Sequence, residues 1–364
     1  MAAEFSSDII FEILTRVFLQ TLGRCRVVCK QWNALTYESS FMHDHRQRTK
    51  AVSGYFIQEL SNNLFSSVFV SIDGLQKFSD GCSAPSLDFL PAKHMQIVAS
   101  SYQGLLCCVN QQSPAHIIPK YYVCKPCTRQ WRAIPNPKTR YFTDQIAMIV
   151  LRSHPLHFKI VRLSRPKILF KFYYNLRCEV FDSENWAWKQ LDDVNLPYSV
   201  FLQNEPAVVV GGMIHWLTTH DHLLTFRHDS ESWSMVPVPH PLYQNSREYM
   251  YILEYKGRLA IVSDGGDTRM ELWVAEDYEK GVWAKKHSLS MESVMEMDPY
   301  PRPMDFYNSD VVLMIGYFRL LFCKFQDQNF NSNVTSVNVG MLPRHIFCFG
   351  SDWEFTDFNT KPIC

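Results

Sequence analysis

Apolar and polar positions change rhythm once along this chain. Through the first fifty residues the spacing is helical, and beyond about Ala51 short strands alternate with turns. In "SSDIIFEILTRV" Ser6 or Ser7 is placed to cap a helix and Asp8 suits its first turn. Ile9, Ile10, Phe11, Ile13, Leu14 and Val17 then spread over about 200° of a helical wheel, wider than one core-facing stripe needs. A second helix is predicted across "LGRCRVVCKQWNAL". There Leu22, Cys25, Val28, Cys29, Trp32 and Leu35 share an arc of about 140°, with Arg24, Arg26, Lys30 and Gln31 outside it. Val27 is the apolar residue that falls on the polar face. A segment of about 40 residues rarely builds a sufficient core. The surplus apolar face of the first helix therefore calls for cover from the rest of the chain or from a partner.

The strand region carries a loose repeat. "GLLCCVN…YYVCKPCTRQWRAIPNP", "FKIVRLS…RCEVFDSENWAWKQL", "GGMIHWLTTHDHLLTFRHDSESWSMVPVP" and "KGRLAIVSDGGDTRMELWVAEDYEKGVWAKKHSL" each read as strand, turn, strand, polar turn, then a strand opening near a tryptophan. Those residues, Trp131, Trp188, Trp233 and Trp283, are 57, 45 and 50 positions apart. "PAVVVGG" and "EYMYILEYKG" are candidate inner strands, and fainter copies lie at "GYFIQEL…SSVFVSIDG" and "DVVLMIGYFRLLFCKFQDQ". A period of about 40 to 50 residues with three or four strands per unit is the signature of a β-propeller. Residues 51–364 hold about six or seven blades, and "RHIFCFGSDW" is the strand expected to close the ring with N-terminal partners. A non-closed pile of sandwiched sheets is the alternative. The fold class is α+β multidomain: a small all-α segment at 1–50, then an all-β propeller-like domain at 51–364.

Composition narrows the function classes. Lys+Arg and Asp+Glu are both 36 in 364 residues, so no net field favours nucleic acid or an anionic membrane. No apolar run approaches the roughly 20 residues of a membrane span, and no basic-then-apolar leader opens the chain. The expected compartment is cytoplasm and/or nucleus. Eleven cysteines without a framework read there as small buried hydrophobes.

Candidate chemistry is thin. Cys124 and Cys127 form a C-x-x-C, and Cys107 and Cys108 could complete a zinc set. Neighbours on a strand point to opposite faces, however, so one of the latter two must face away. Cys25 and Cys29 share an apolar helix face, which argues against a reactive thiol. His215, His220, His222 and His228 cluster in "MIHWLTTHDHLLTFRHD", where a polar hairpin turn with Asp221 is the plainer reading. "SDGGDTR" reads as another turn, and "HDHRQRTK" as a solvated tail. No nucleophile motif appears, and no metal, cofactor or catalytic residue is expected.

The N-terminal residues resemble an F-box. The family pattern is matched by Asp8, Glu12, Ile13, Leu14 and Arg16, then Leu22, then Arg26, Val28, Cys29, Lys30, Trp32 and Leu35, and finally Ser40 and Phe41. The downstream repeats are similar to the F-box-associated, kelch-like domain of the large plant F-box family. The resemblance implies a substrate receptor of a cullin–RING ubiquitin ligase, non-catalytic itself. A Skp-type adaptor would dock on the F-box and bring cullin and RING subunits; an unknown target would dock on the propeller. It implies an adaptor face at Ile9, Ile10, Ile13, Val17, Phe18, Leu22, Val27 and Val28, and an F-box core of Leu14, Cys25, Cys29, Trp32 and Leu35. A propeller-fold enzyme and an adaptor-independent scaffold are the alternatives. Three positions depart from the family pattern. Phe5-Ser6 and Val17-Phe18 stand where Leu-Pro is usual, and "KPCT" replaces an Asn-Pro-x-Thr turn. Each lost proline costs about 0.4–1 kcal/mol of preorganisation where the geometry suits it.

Overall fold

The computed structural model describes residues 6–49, 51–71, 84–110, 119–153, 155–165, 175–220, 222–239, 242, 250–263, 268–326, 329–340 and 343–358. Four helices come first: α1 (Ser7–Leu14), α2 (Leu19–Cys25), α3 (Lys30–Leu35) and α4 (Ser39–Thr49). Ser6 is extended and its hydroxyl accepts from the Ile9 N–H, satisfying a donor that the helix leaves without a partner. Phe5 lies outside the described residues.

The single helix expected from Leu22 to Leu35 is two. Val27 and Val28 are β-branched and lose rotamer freedom in a helix. The chain leaves α2 before them and starts again at Lys30. Cys29 is extended, and its sulfur accepts from the Trp32 N–H at 3.4 Å, so it caps α3. Cys29 is accordingly exposed and does not belong to the core that helical phase assigned it to. Leu14, Leu22 and Phe41 are fully buried together, with Ile10, Phe11, Val17, Cys25, Trp32 and Leu35 packed around them. Leu22 therefore holds the helices together and is not available as part of an adaptor face. The basic stretch read as a solvated tail is the helix α4. Its Arg48 grips Glu12 through two bonds of 3.0 Å, and its His45 Nε2 sits 2.9 Å from the Val17 carbonyl. The His43 side chain lies outside the described residues.

Six blades follow, each built on antiparallel neighbours. The first holds β1 (Val52–Ser61) and β2 (Leu64–Ser71). The second is β3 (Gln96–Ser100), β4 (Leu106–Asn110), β5 (Lys120–Lys125) and β6 (Gln130–Ile134). The third is β7 (Phe142–Ser153), β8 (Leu156–Arg165), β9 (Asn175–Asp182) and β10 (Ala187–Gln190), with β11 (Val194–Asn195) added on β9. The fourth is β12 (Val208–Val210), β13 (Met213–Leu217), β14 (His222–Arg227) and β15 (Ser232–Pro237). The fifth is β16 (Met250–Tyr255), β17 (Arg258–Ser263), β18 (Arg269–Asp277) and β19 (Val282–Ser290). After a short helix α5 (Glu292–Met295) comes the sixth: β20 (Arg302–Phe306), β21 (Val311–Ile315), β22 (Arg319–Gln326) and β23 (Asn329–Asn338). The last strand, β24 (His345–Ser351), returns to pair with β1 from Val52↔Ser351 to Gln58↔His345. This is the closure expected of "RHIFCFGSDW". The four repeat tryptophans all lie on the outermost strands β6, β10, β15 and β19.

Six apolar clusters fill the six seams between neighbouring blades. Strands buried on both faces need apolar residues at successive positions, which explains runs such as "GLLCCV". Cys107 faces the seam between the second and third blades, whereas Cys108, Cys124 and Cys127 face the seam between the first and second.

Candidate interaction surfaces and central cavity

Chain direction sets the two ends of the ring. The inner strands β3, β16 and β20 each run from the loop that enters their blade to a tight turn at the opposite end. Those tight turns, at Tyr102–Gly104, Lys256–Gly257 and Tyr307–Asp310, lie on the side where the helical module sits. Tyr37 donates to Glu254 Oε1 at 2.5 Å across this seam, and the Arg26 guanidinium lies 4.2 Å from the Tyr37 ring centroid. Burial, the nearby Glu254 charge and that bond push the Tyr37 phenol well above its ordinary pKa. Gly257 has φ +74°, and a Cβ there would come within 3.1 Å of the Asn33 amide. The module thus sits close against one mouth of the propeller.

The module also leaves apolar side chains exposed. Ile9 is 48% exposed, Ile13 52%, Phe18 58% and Val28 62%. Val27, at 85%, is the most exposed of all, and it borders the cavity at the propeller mouth. Ile10 and Val17 of the expected adaptor face lie partly inside the helical cluster. Of the expected helical core, Leu14, Cys25, Trp32 and Leu35 do pack together. Sequence reading missed Phe41 and Tyr37 in these roles. The signal available was the spacing of Phe41, His45 and Arg48 along one helix side, which the polarity around it obscured.

Under the helical module, the channel opens into a cavity of about 550 Å³ lined by the inner strands of all six blades. Asp305 lies near its module end and accepts from the Tyr55 hydroxyl at 2.9 Å. Burial raises its carboxyl to about 7, against the pull of that bond. The far mouth carries exposed aromatic residues instead: Tyr198 and Phe201 before β12, Tyr300 before β20, and Tyr317 and Phe318 between β21 and β22. Buried Asp298 accepts from the Tyr317 N–H at 2.7 Å and the Tyr300 N–H at 3.4 Å, which fixes these loops together.

The histidines divide among structural tasks. His215 is fully buried beside Thr225 Oγ1 at 3.0 Å, and burial lowers its pKa to about 4. His228 Nδ1 bonds the Gly212 carbonyl, and His220 lies in the turn before β14. Asp221, and residues 264–267 of "SDGGDTR", lie outside the described residues. Cys108 and Cys124 sulfurs are 3.9 Å apart in the core, and Cys127 is buried near them. Desolvation raises the Cys25 thiol pKa. His157, Asp182 and Glu184 approach one another at the β8–β9 edge, where Arg152 already pairs with Glu184. Among the described residues no helix is long and apolar enough to cross a membrane.

A compact four-helix module carried on one mouth of a closed six-bladed propeller defines the class of molecule. The sequence matches the F-box associated beta propeller domain over residues 37–306 and the F-box domain over residues 4–43, and the chain belongs to that family. It is 28% identical to F-box protein At5g49610 of Arabidopsis thaliana over 318 residues, 82% of each chain. It is 32% identical to F-box protein At5g41720 of the same plant over 187 residues, half of this chain and 99% of that one. Among solved structures it is similar to YCF48 bound to D1 peptide, with a TM-score of 0.42 and 11% identity over 77% of each chain. That likeness is too distant to bear on function.

Proposed function

We propose that this chain is the substrate-recognition subunit of an SCF-type cullin–RING ubiquitin ligase. Residues 1–50 dock a Skp-type adaptor, which brings cullin and RING subunits. Residues 51–364 hold a target protein. The chain itself is non-catalytic. It contributes proximity, so that ubiquitin transfer to the held target becomes effectively intramolecular.

One observation carries the reading. The F-box leaves Ile9, Ile13, Phe18 and Val28 outside its own core, although the propeller covers its other side. Exposed apolar side chains grouped on a small module mark a protein interface. The target face is then the far mouth, with Tyr198, Phe201, Tyr300, Tyr317 and Phe318 as candidate anchors. The test is calorimetric titration of the purified chain with a Skp-type adaptor. Ile13→Asp is expected to weaken binding at least tenfold with the unfolding midpoint unchanged. Val27→Asp, closer to the cavity, is expected to weaken it less. A wild-type chain without adaptor affinity at micromolar concentration would leave the adaptor-independent scaffold as the better reading.

A further inference from the structure

The central cavity has the size and lining of a ligand site. Pockets for small molecules occupy about 300–1,000 Å³ and combine apolar walls with a few convergent polar groups; this one holds about 550 Å³. Its walls are apolar through Ile146, Met148, Val209, Ile252, Met304 and Ile346. Its charged groups are unbalanced: among the described lining residues are three carboxyl groups, Glu205, Glu254 and Asp305, and one cation, Arg26.

Arg26 is already engaged. Its guanidinium covers the Tyr37 ring and its Nε donates to Thr36 Oγ1 at 3.1 Å. Glu254 and Asp305 sit at the same end of the cavity with Tyr37 and Tyr55 bonded to them, and Tyr102 also lines this end. Carboxylates flanked by aromatic rings form a setting in which an ammonium gains both charge pairing and cation–π attraction. We propose that the propeller channel, roofed by the F-box, binds a small organic cation whose protonated amine faces Glu254 and Asp305 and whose apolar body lies along the channel.

The groups around Asp305 allow this. Tyr55 faces it from β1, Glu254 from β16 and Cys348 from β24, while Arg26 and Tyr37 face the seam from the F-box. Lys256 and His45 line the adjoining hollow at the same seam. With burial holding the Asp305 carboxyl at about 7, its ionised fraction grows between pH 6 and 8, a range in which an alkylamine stays protonated.

Three probes of one shape test the proposal on the full chain by calorimetry: 2-phenylethylamine, 2-phenylethanol and phenylacetate. The amine is expected to bind at least tenfold more tightly than the alcohol, with no heat from the carboxylate. Its affinity is expected to rise several-fold from pH 6 to pH 8. Asp305→Asn should remove the pH effect and weaken the amine at least tenfold, while leaving the alcohol unchanged. Should that variant fold poorly, as judged by its unfolding midpoint, Glu254→Gln takes its place with the same tenfold expectation for the amine. No binding of the amine, equal binding of phenylacetate, or an amine affinity indifferent to the variant that folds would each overturn the proposal.

Discussion

Single residues show where family pattern and local geometry agree and where they part. Ser6 and Phe18 stand where the F-box pattern has proline, and their φ values, −62° and −61°, are already those of proline. The two sites are nonetheless unequal. Ser6 caps α1 through its hydroxyl, whereas Phe18 makes no side-chain cap and is 58% exposed. Phe18→Pro is expected to stabilise the chain by about 0.4–1 kcal/mol through a stiffer unfolded chain. Ser6→Pro sacrifices a cap worth about 0.5–2 kcal/mol, so it should be neutral or destabilising. Urea unfolding of both variants checks the contrast, and a gain at Ser6 equal to that at Phe18 would contradict the capping role. Cys29 teaches a related lesson. The wheel placed its sulfur indoors because periodicity assumes an unbroken helix. The Val27–Val28 break reset the phase and turned Cys29 into an exposed cap.

Among the elements, those built on repetition were legible and those built on single long-range contacts were not. Four tryptophans marked the outer strands, and the near-continuous apolar runs marked the buried strands inside them, because every blade must bury both faces against its neighbours. The closing strand β24 was legible for the same reason. The docking of the segment after it was not. From Asp352 to Phe358 the chain crosses the second blade, held by Lys125, Gln130 and Arg132. Lys125 opens the "KPCT" turn where the family pattern has asparagine. Its ammonium is almost wholly buried and lies 2.5 Å from Asp352 Oδ1 and 2.6 Å from the Glu354 carbonyl. A departure that looked incidental in the sequence therefore anchors the tail. Removing one member of a buried pair costs about 3–5 kcal/mol, while replacing both members by apolar groups is often neutral. Lys125→Met is expected to lose about 3 kcal/mol in denaturant unfolding and to speed amide exchange across 352–358. The double variant Lys125→Met/Asp352→Leu should recover most of the loss. A single variant with wild-type stability would show that the pair contributes little.

At the scale of the whole molecule, the two modules were legible separately but their seating was not. Nothing in local periodicity announces that Tyr37 reaches Glu254, 217 positions further along the chain. That seating has a functional consequence under the proposed role. A receptor that works by proximity gains from holding its target at a fixed place relative to its adaptor, because misplacement lowers effective concentration. The seam provides rigidity through the Tyr37–Glu254 bond and the close approach of Gly257 to Asn33, with the Arg26 guanidinium covering the Tyr37 ring from within the module. Hydrogen bonds to charged groups contribute about 1.5–3 kcal/mol, so Tyr37→Phe should loosen the seam without unfolding either module. Gly257→Val should do so more strongly, since φ +74° disfavours any β-branched residue and its Cβ would press on the Asn33 amide. In both variants the junction between α4 and β1 is expected to become more sensitive to protease; the propeller's unfolding midpoint should hold in Tyr37→Phe and fall in Gly257→Val, whose strain lies in the turn between β16 and β17. Adaptor affinity should persist, because Ile9, Ile13 and Phe18 line neither the cavity nor the hollow at the seam, and the rate of ubiquitin transfer to a bound target should fall. Unchanged protease sensitivity in Gly257→Val would show that the F-box is held by other contacts, and a fall in adaptor affinity would show that seam and docking face are not separate.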